Sequence, residues 1–284
     1  MRRCDVSFRI AGSCRHPECM AIEGGRLGMA EFPAIVGLIR HPQEGLILYD
    51  TGYHPAFFAA TEPFPERLYR WATPVDLEGG DAIAEQLVIE GLSAADVRWA
   101  VISHFHGDHV AGLKAFPNAR IACGRAGLDV TRAGSRFSRV RKGVLSALVP
   151  ANVDRRLRAF EDCPRVALPA EYAPFGEGAD ILGDGSLLAV ELAGHCPGHW
   201  GLALRGEDDH YHLFVGDAAW SSRAIWENRP PPRFTTNLLG ETEVYRRTLT
   251  GLHDLAARNP DLLITPAHCT ERAATIRASR LREG

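Results

Sequence analysis

A chain of 284 residues with 45% hydrophobic residues, 24% charged residues and a net charge of −3 has the make-up of an ordinary globular protein. It is long enough to bury a large core, as one big domain or two small ones, and its charge points to no class of partner. No apolar run approaches the ~20 residues of a membrane span, and the first residues, Met1 to Arg9, lack the apolar stretch of a secretory signal. Seven cysteines, odd in number and scattered, fit a reduced cytoplasmic protein.

Short apolar strands are expected at Val6–Ile10, Ala34–Arg40 and Leu46–Tyr49, the last closed by the turn signal Asp50-Thr51-Gly52. The stretch from Tyr53 to Gly80 is rich in aromatics and proline and reads as an irregular loop, either an apolar wall or a dimer contact. Asp81 is a plausible N-cap for a helix through Leu92. Val97–Ile102 reads as a buried strand, Val110–Ala115 as a short helix and Ala119–Cys123 as a strand. The second half repeats the rhythm: strands at Ser186–Leu192, Leu202–Arg205 and Tyr211–Val215, a helix near Glu241–Arg258, a strand at Leu262–Thr265 and a helical end. Strands alternating with helices in two similar halves suggest two packed sheets with helices outside. No linker divides the chain.

Between the halves, Arg120–Arg158 holds ten Arg or Lys against Asp129 and Asp154, a net charge of +8. It reads either as a solvated helical face or as a basic cap over a site that attracts an anionic substrate. Cys14 and Cys19 with His16 hint at a metal knuckle, but no second cysteine pair follows at zinc-finger spacing.

The densest chemistry lies at His104-Phe105-His106-Gly107-Asp108-His109, directly after the strand ending at Ile102. Three imidazoles and a carboxylate are the donors that suit zinc and related divalent ions; a merely histidine-rich loop is the plain alternative. His104 and His106 face the same way in an extended segment and can meet one ion. Gly107 permits a turn, after which Asp108 and His109 point elsewhere, as a second ion would require. Further ligands must come from outside the run. His195, Asp217 and His268 each follow an apolar strand, where α/β scaffolds place their chemistry.

With these residues in this order, the chain resembles the metallo-β-lactamase superfamily, and within it the N-acyl homoserine lactone lactonase-like branch, from Leu48-Tyr49-Asp50-Thr51-Gly52 to His268. The resemblance implies an αββα sandwich of two mixed β-sheets flanked by helices, in a single domain (1–284) with a basic helical insertion or cap around 125–180. It implies two divalent metal ions, zinc first, with manganese or iron as alternatives. The first would take His104, His106 and His195; the second Asp108, His109 and His268; Asp217 would bridge them. Asp50 would orient ligands from behind, and His199 resembles a supporting residue of the same kind. Asp108, His109 and a histidine where flavodiiron proteins carry an acid imply hydrolysis, with a hydroxide shared between the ions attacking an ester carbonyl and Asp108 moving a proton to the leaving group.

The expected substrate is a small molecule, anionic or acylated, with a lactone or carboxylic ester bond. Thioester hydrolysis of the glyoxalase II type, phosphodiester cleavage and metal binding without turnover are the alternatives. Neither a membrane nor nucleic acid is expected as partner. In one place the chain departs from the lactonase pattern: Trp220 stands where those enzymes carry a tyrosine three residues after the bridging aspartate. Cys196 and Cys269, next to proposed ligands, read as small buried hydrophobes.

Overall fold

The structure is a computed structural model and describes residues 1–283. Thirteen strands form two sheets joined along one seam. In chain order they are β1 Arg3–Pro17, β2 Met29–His41, β3 Gly45–Tyr49, β4 Val75–Asp76, β5 Val97–Ile102, β6 Arg120–Cys123, β7 Leu157–Ala159, β8 Arg165–Ala167, β9 Glu177–Asp180, β10 Leu188–Glu191, β11 Trp200–Gly206, β12 Tyr211–Gly216 and β13 Leu263–Pro266. The first sheet runs β7-β6-β5-β3-β2-β1, with β4 beside β1; the second runs β8-β9-β10-β11-β12-β13. The seam is a short parallel pairing of Arg3 and Cys4 on β1 with Arg205 and Gly206 on β11.

Side-chain alternation decides the layers. In β3 and β5, Leu46, Leu48, Ala100 and Ile102 enter one core, while Ile47, Tyr49, Trp99 and Val101 enter another. Strands with both faces buried need apolar residues at every step, which explains the unbroken runs read in the sequence. The second sheet does the same: Ala189, Leu202, Leu204 and Phe214 meet the first sheet's inner residues, and Leu188, Val190, Ala203, Leu213 and Val215 face outwards. Outside, Leu87, Val110, Leu128 and Leu148 cover the first sheet, and Tyr245, Leu249, Leu252 and Leu255 of helix Thr242–Arg258 cover the second. This is the expected αββα sandwich of mixed sheets. Its inner layer is tight: a Cβ on Gly37 would lie 2.7 Å from the Phe214 ring, so glycine is what lets Phe214 cross between the sheets.

Several elements differ from the sequence-based expectations. β1 extends to Pro17 through its long pairing with β2. The helix after Gly80 runs only Ile83–Ile89, because Asp81 spends its carboxylate on the Glu78 N–H instead of capping it. The helix after the histidine run begins at Gly107 and breaks after Val110. The stretch 53–80 is not wholly irregular; it holds short helices at Ala56–Ala60 and Arg67–Ala72. Of 125–180, the α-helical turns lie between Arg125 and Arg156; beyond them β7, β8 and β9 return to the sheets. Among the described residues no helix is long and apolar enough to cross a membrane.

Candidate metal centre

Five loops converge at one end of the sandwich, each leaving the C-terminal end of a strand. Asp50 follows β3, the run 104–109 follows β5, His195 follows β10, Asp217 follows β12 and His268 follows β13. All seven proposed ligands are brought together. His195 Nε2 lies 3.1 Å from His106 Nδ1 and 3.3 Å from Asp217 Oδ2, with His104 Nε2 3.9 Å from the same oxygen. On the other side, Asp217 Oδ1 is 3.3 Å from His109 Nε2 and 3.2 Å from His268 Nε2. His268 Nε2 is also 3.2 Å from Asp108 Oδ2, which lies 3.6 Å from His109 Nε2. The Asp217 carboxylate thus presents one oxygen to each of two donor groups.

The backs of these rings are held by the protein. Asp50, at a left-handed φ of 61°, accepts from Ser103 N and Ser103 Oγ at 2.8 Å and meets His109 Nδ1 at 2.8 Å. Ser103 Oγ is also 2.9 Å from His104 Nδ1. His268 Nδ1 is 2.9 Å from the Pro33 carbonyl. His199 is not a member of the donor groups. Its Nε2 accepts from the backbone N–H of Asp217 at 3.0 Å while its Nδ1 lies 2.9 Å from the Leu192 carbonyl, so it anchors the Asp217 turn. Such partners fix which nitrogen faces inwards.

Charge follows from burial and neighbours. Burial takes the His104 and His195 imidazoles well below their ordinary value and brings His106 and His199 to about 4, so these four rings are neutral near pH 7. Burial alone would raise Asp108 and Asp217, but the charged His109 and His268 rings outweigh it and hold both carboxyls well below the usual range. The same pairing, against burial, lifts His109 and His268 well above the ordinary imidazole value. Two buried carboxylates therefore draw positive charge to this spot.

The donor set fits divalent ions. His104 Nε2, His109 Nε2 and Asp217 Oδ1 are buried and form no hydrogen bond, a costly arrangement that a cation would satisfy. Imidazoles and carboxylates in two adjoining groups are zinc-type ligands, His109 and His268 giving up their inward protons when an ion binds there. The Cys196 thiol also lies within 4.8 Å of the His104, His106 and His195 donor atoms, with burial holding it well above its ordinary pKa. Cys269 is buried but not merely apolar: its Sγ takes contacts from Ser222 at 3.1 Å and donates to Glu271 at 3.1 Å. Cys14, His16 and Cys19 form no such donor group among the described residues; Cys14 and His16 instead line the neighbouring cavity.

That cavity, of about 450 Å³, opens over the donor groups. Its floor includes His106, Asp108, Asp217 and His268, and its walls include Met20, Phe32, Tyr53, Leu68, Phe137 and Trp220. The Trp220 ring meets His195 and His268 edge to face, with centroids 6.1 and 6.3 Å apart, and its buried indole N–H has no partner. Cys14 and His16 were singled out from the sequence only as a metal knuckle; Ser103 and the wall residues Met20, Phe32, Thr235, Leu238 and Leu239 were not singled out at all. Only Ser103 carried a signal, its place directly before His104.

A family model for the metallo-beta-lactamase superfamily matches residues 31–268. N-acyl homoserine lactonase AiiB of Agrobacterium fabrum is 25% identical over 274 residues, covering 96% of this chain and 92% of its own. N-acyl homoserine lactonase AttM of Rhizobium radiobacter is 26% identical over 241 residues, with 81% and 83% covered. A probable metallo-hydrolase of Mycobacterium tuberculosis is 27% identical over 252 residues, covering 81% and 73%. Among solved structures, an N-acyl homoserine lactone hydrolase with N-hexanoyl-L-homoserine at its catalytic metal centre superposes with a TM-score of 0.74 at 17% identity, covering 96% and 97%. The dizinc lactonase AidC gives 0.64 at 14% identity, covering 94% and 88%. The fold, the ordered loops and the extent of the family match together place this chain in the metallo-β-lactamase superfamily.

Proposed function

We propose that this protein is a two-metal hydrolase of lactones or carboxylic esters, a single domain whose basic segment caps the cavity. The observation that carries the reading is the Asp217 carboxylate, with one oxygen turned to each of two nitrogen-rich donor groups at 3.2–3.3 Å. His104, His106 and His195 would hold one ion, Asp108, His109 and His268 the other, and Asp217 both. Zinc suits these donors, and manganese or iron could take the same places. Ions held there would supply Lewis acidity to a carbonyl and lower the pKa of water towards ~7.

The chain's own groups do the rest. Asp108 faces the cavity as a carboxylate, placed to take a proton from attacking water and return it to the leaving alcohol oxygen as the ester C–O bond breaks. Asp50 and Ser103 hold His104 and His109 in orientation. Apolar walls accept an acyl chain and exclude bulk water, and the lactonase relatives support an ester-type bond.

The test is turnover by metal-loaded protein of a lactone and linear-ester panel beside thioesters and bis-p-nitrophenyl phosphate. Oxygen esters or lactones should be the best substrates. Turnover of the thioester alone or of the phosphodiester alone would replace the reading. Well under one metal equivalent after purification without chelator, with no activity gained on adding zinc, manganese or iron, would refute the two-metal site.

A further inference from the structure

Most of the basic segment is spoken for by packing. Arg125 pairs with Asp162, Arg132 with Asp154 and Arg136 with Glu66. Arg139 donates to the carbonyls of Ala133 and Gly134, Arg156 to those of Phe116 and Ala119, and Arg120 lies over the Trp99 ring. Arg141 has no such ion pair or hydrogen bond among the described residues. It is also the one arginine or lysine in the cavity wall, beside Phe137 and Val140 of the same short helix, Arg136–Arg141.

That helix has no buried residue, yet both its ends are anchored. Arg136 grips Glu66 through two hydrogen bonds, and the turn after the helix is seated on the metal-binding loop. There Gly107 N donates to the Gly143 carbonyl at 3.2 Å and His106 bridges to Val144. The exposed Arg141 side chain thus rises from a backbone whose next turn touches a proposed metal ligand. Most of the other residues lining the cavity wall are apolar. An unpaired cation in an otherwise apolar wall recognises an anion, and the planar guanidinium fork matches a carboxylate.

We propose that Arg141 selects substrates that carry a carboxylate at the far end of an apolar chain, so that the carboxylate meets Arg141 while the ester or lactone lies over Asp108 and Asp217. The inference rests on the hydrolase reading above, and its test separates the two. The probes are a monoester of an aliphatic dicarboxylic acid and the uncharged ester of equal length, given to zinc-loaded full-length protein. The wild type should favour the acid-bearing ester, and Arg141→Gln should lower the ratio of the two kcat/KM values about threefold, chiefly through KM. Arg141→Lys should keep part of the preference, and Arg155→Gln, exposed and outside the cavity, should keep all of it. Raising salt from ~0.05 to ~0.5 M should compress the wild-type ratio but not that of Arg141→Gln. Equal effects of Arg141→Gln on both esters, or no wild-type preference, would overturn the proposal. Calorimetric binding of the matching amides runs in parallel. If neither ester turns over, the hydrolase reading fails, while a tighter acid-bearing amide whose advantage Arg141→Gln abolishes still upholds Arg141, and equal affinities defeat it.

Discussion

His109 Nδ1 and Asp50 Oδ2 lie 2.8 Å apart, although their residues are 59 positions apart in the chain. The contact turns Nε2 of His109 towards Asp217 and Asp108. Asparagine tolerates the left-handed φ that Asp50 adopts and keeps a similar shape, so Asp50→Asn should fold with its turn intact. It should weaken the tighter metal association by about 10–100-fold, the usual effect of losing a ligand's supporting partner. Competition with a chromogenic chelator reads this directly. Unchanged affinities would remove Asp50 from the account of the centre.

Asp217 and His268 should differ in how many ions their loss removes. His268 belongs to one donor group, whereas Asp217 faces both. His268→Ala should therefore retain about one of two metal equivalents, and Asp217→Asn should fall below it in a parallel elemental analysis. Identical stoichiometry in the two variants would argue against a bridging role.

Gly143 has a φ of 72°, and a Cβ there would lie 3.0 Å from the His106 ring. Gly143→Ala therefore combines backbone strain with pressure on a proposed ligand. A stability loss of about 1 kcal/mol or more is expected from the backbone. Activity should fall further than that loss explains, because His106 must shift. Urea unfolding beside turnover at a temperature where the variant is fully folded separates the effects; full activity in the folded variant would mean the ring has room to yield.

How much of this was legible in the sequence follows from the range of each interaction. The run 104–109 could be read because its six residues act as neighbours, and His195, Asp217 and His268 because each closes an apolar strand. The sandwich was visible in the doubly apolar runs of β3, β5 and β12. Asp81 misled because a carboxylate can cap a turn as well as a helix, and it took the Glu78 N–H. The cavity walls were legible only as an open choice, the 53–80 stretch reading as either an apolar wall or a dimer contact. Tyr53, Phe57 and Tyr69 pack edge to face at 5.3 and 5.5 Å, and Phe32 meets Trp220 at 6.1 Å, contacts set by tertiary packing with no period along the chain. Trp220 was noticed only as a departure from a family pattern.

Glu66 and Arg136 tie helix Arg136–Arg141 to the 53–80 stretch. The guanidinium hydrogen bonds hold the Glu66 carboxyl below its ordinary value of 4.5. A depressed folded-state pKa contributes stability above the unfolded value, lost as pH falls through the folded one. The Tm advantage of wild type over Glu66→Gln should thus be present at pH 7 and shrink progressively below about pH 4.5. It should be modest throughout, because the arginine is exposed and screened. A difference that stays constant down to pH 3 would mean that Glu66 acts through shape and not through charge.

Trp220 lines the cavity beside the two donor groups. Its ring meets His195 and His268 edge to face, and its indole N–H makes no hydrogen bond within the protein. Replacing it with tyrosine removes no internal bond and exchanges a donor-only nitrogen for a hydroxyl that can donate and accept. If the hydroxyl reaches the carbonyl, Trp220→Tyr should raise kcat/KM for an N-acyl homoserine lactone relative to a linear ester, by about tenfold for one added hydrogen bond to a developing charge. Trp220→Phe supplies the comparison, since it also shrinks the ring but offers no hydroxyl. A gain shared by both variants would come from space alone, and a gain confined to tyrosine would show that indole at this position steers the present enzyme away from those lactones.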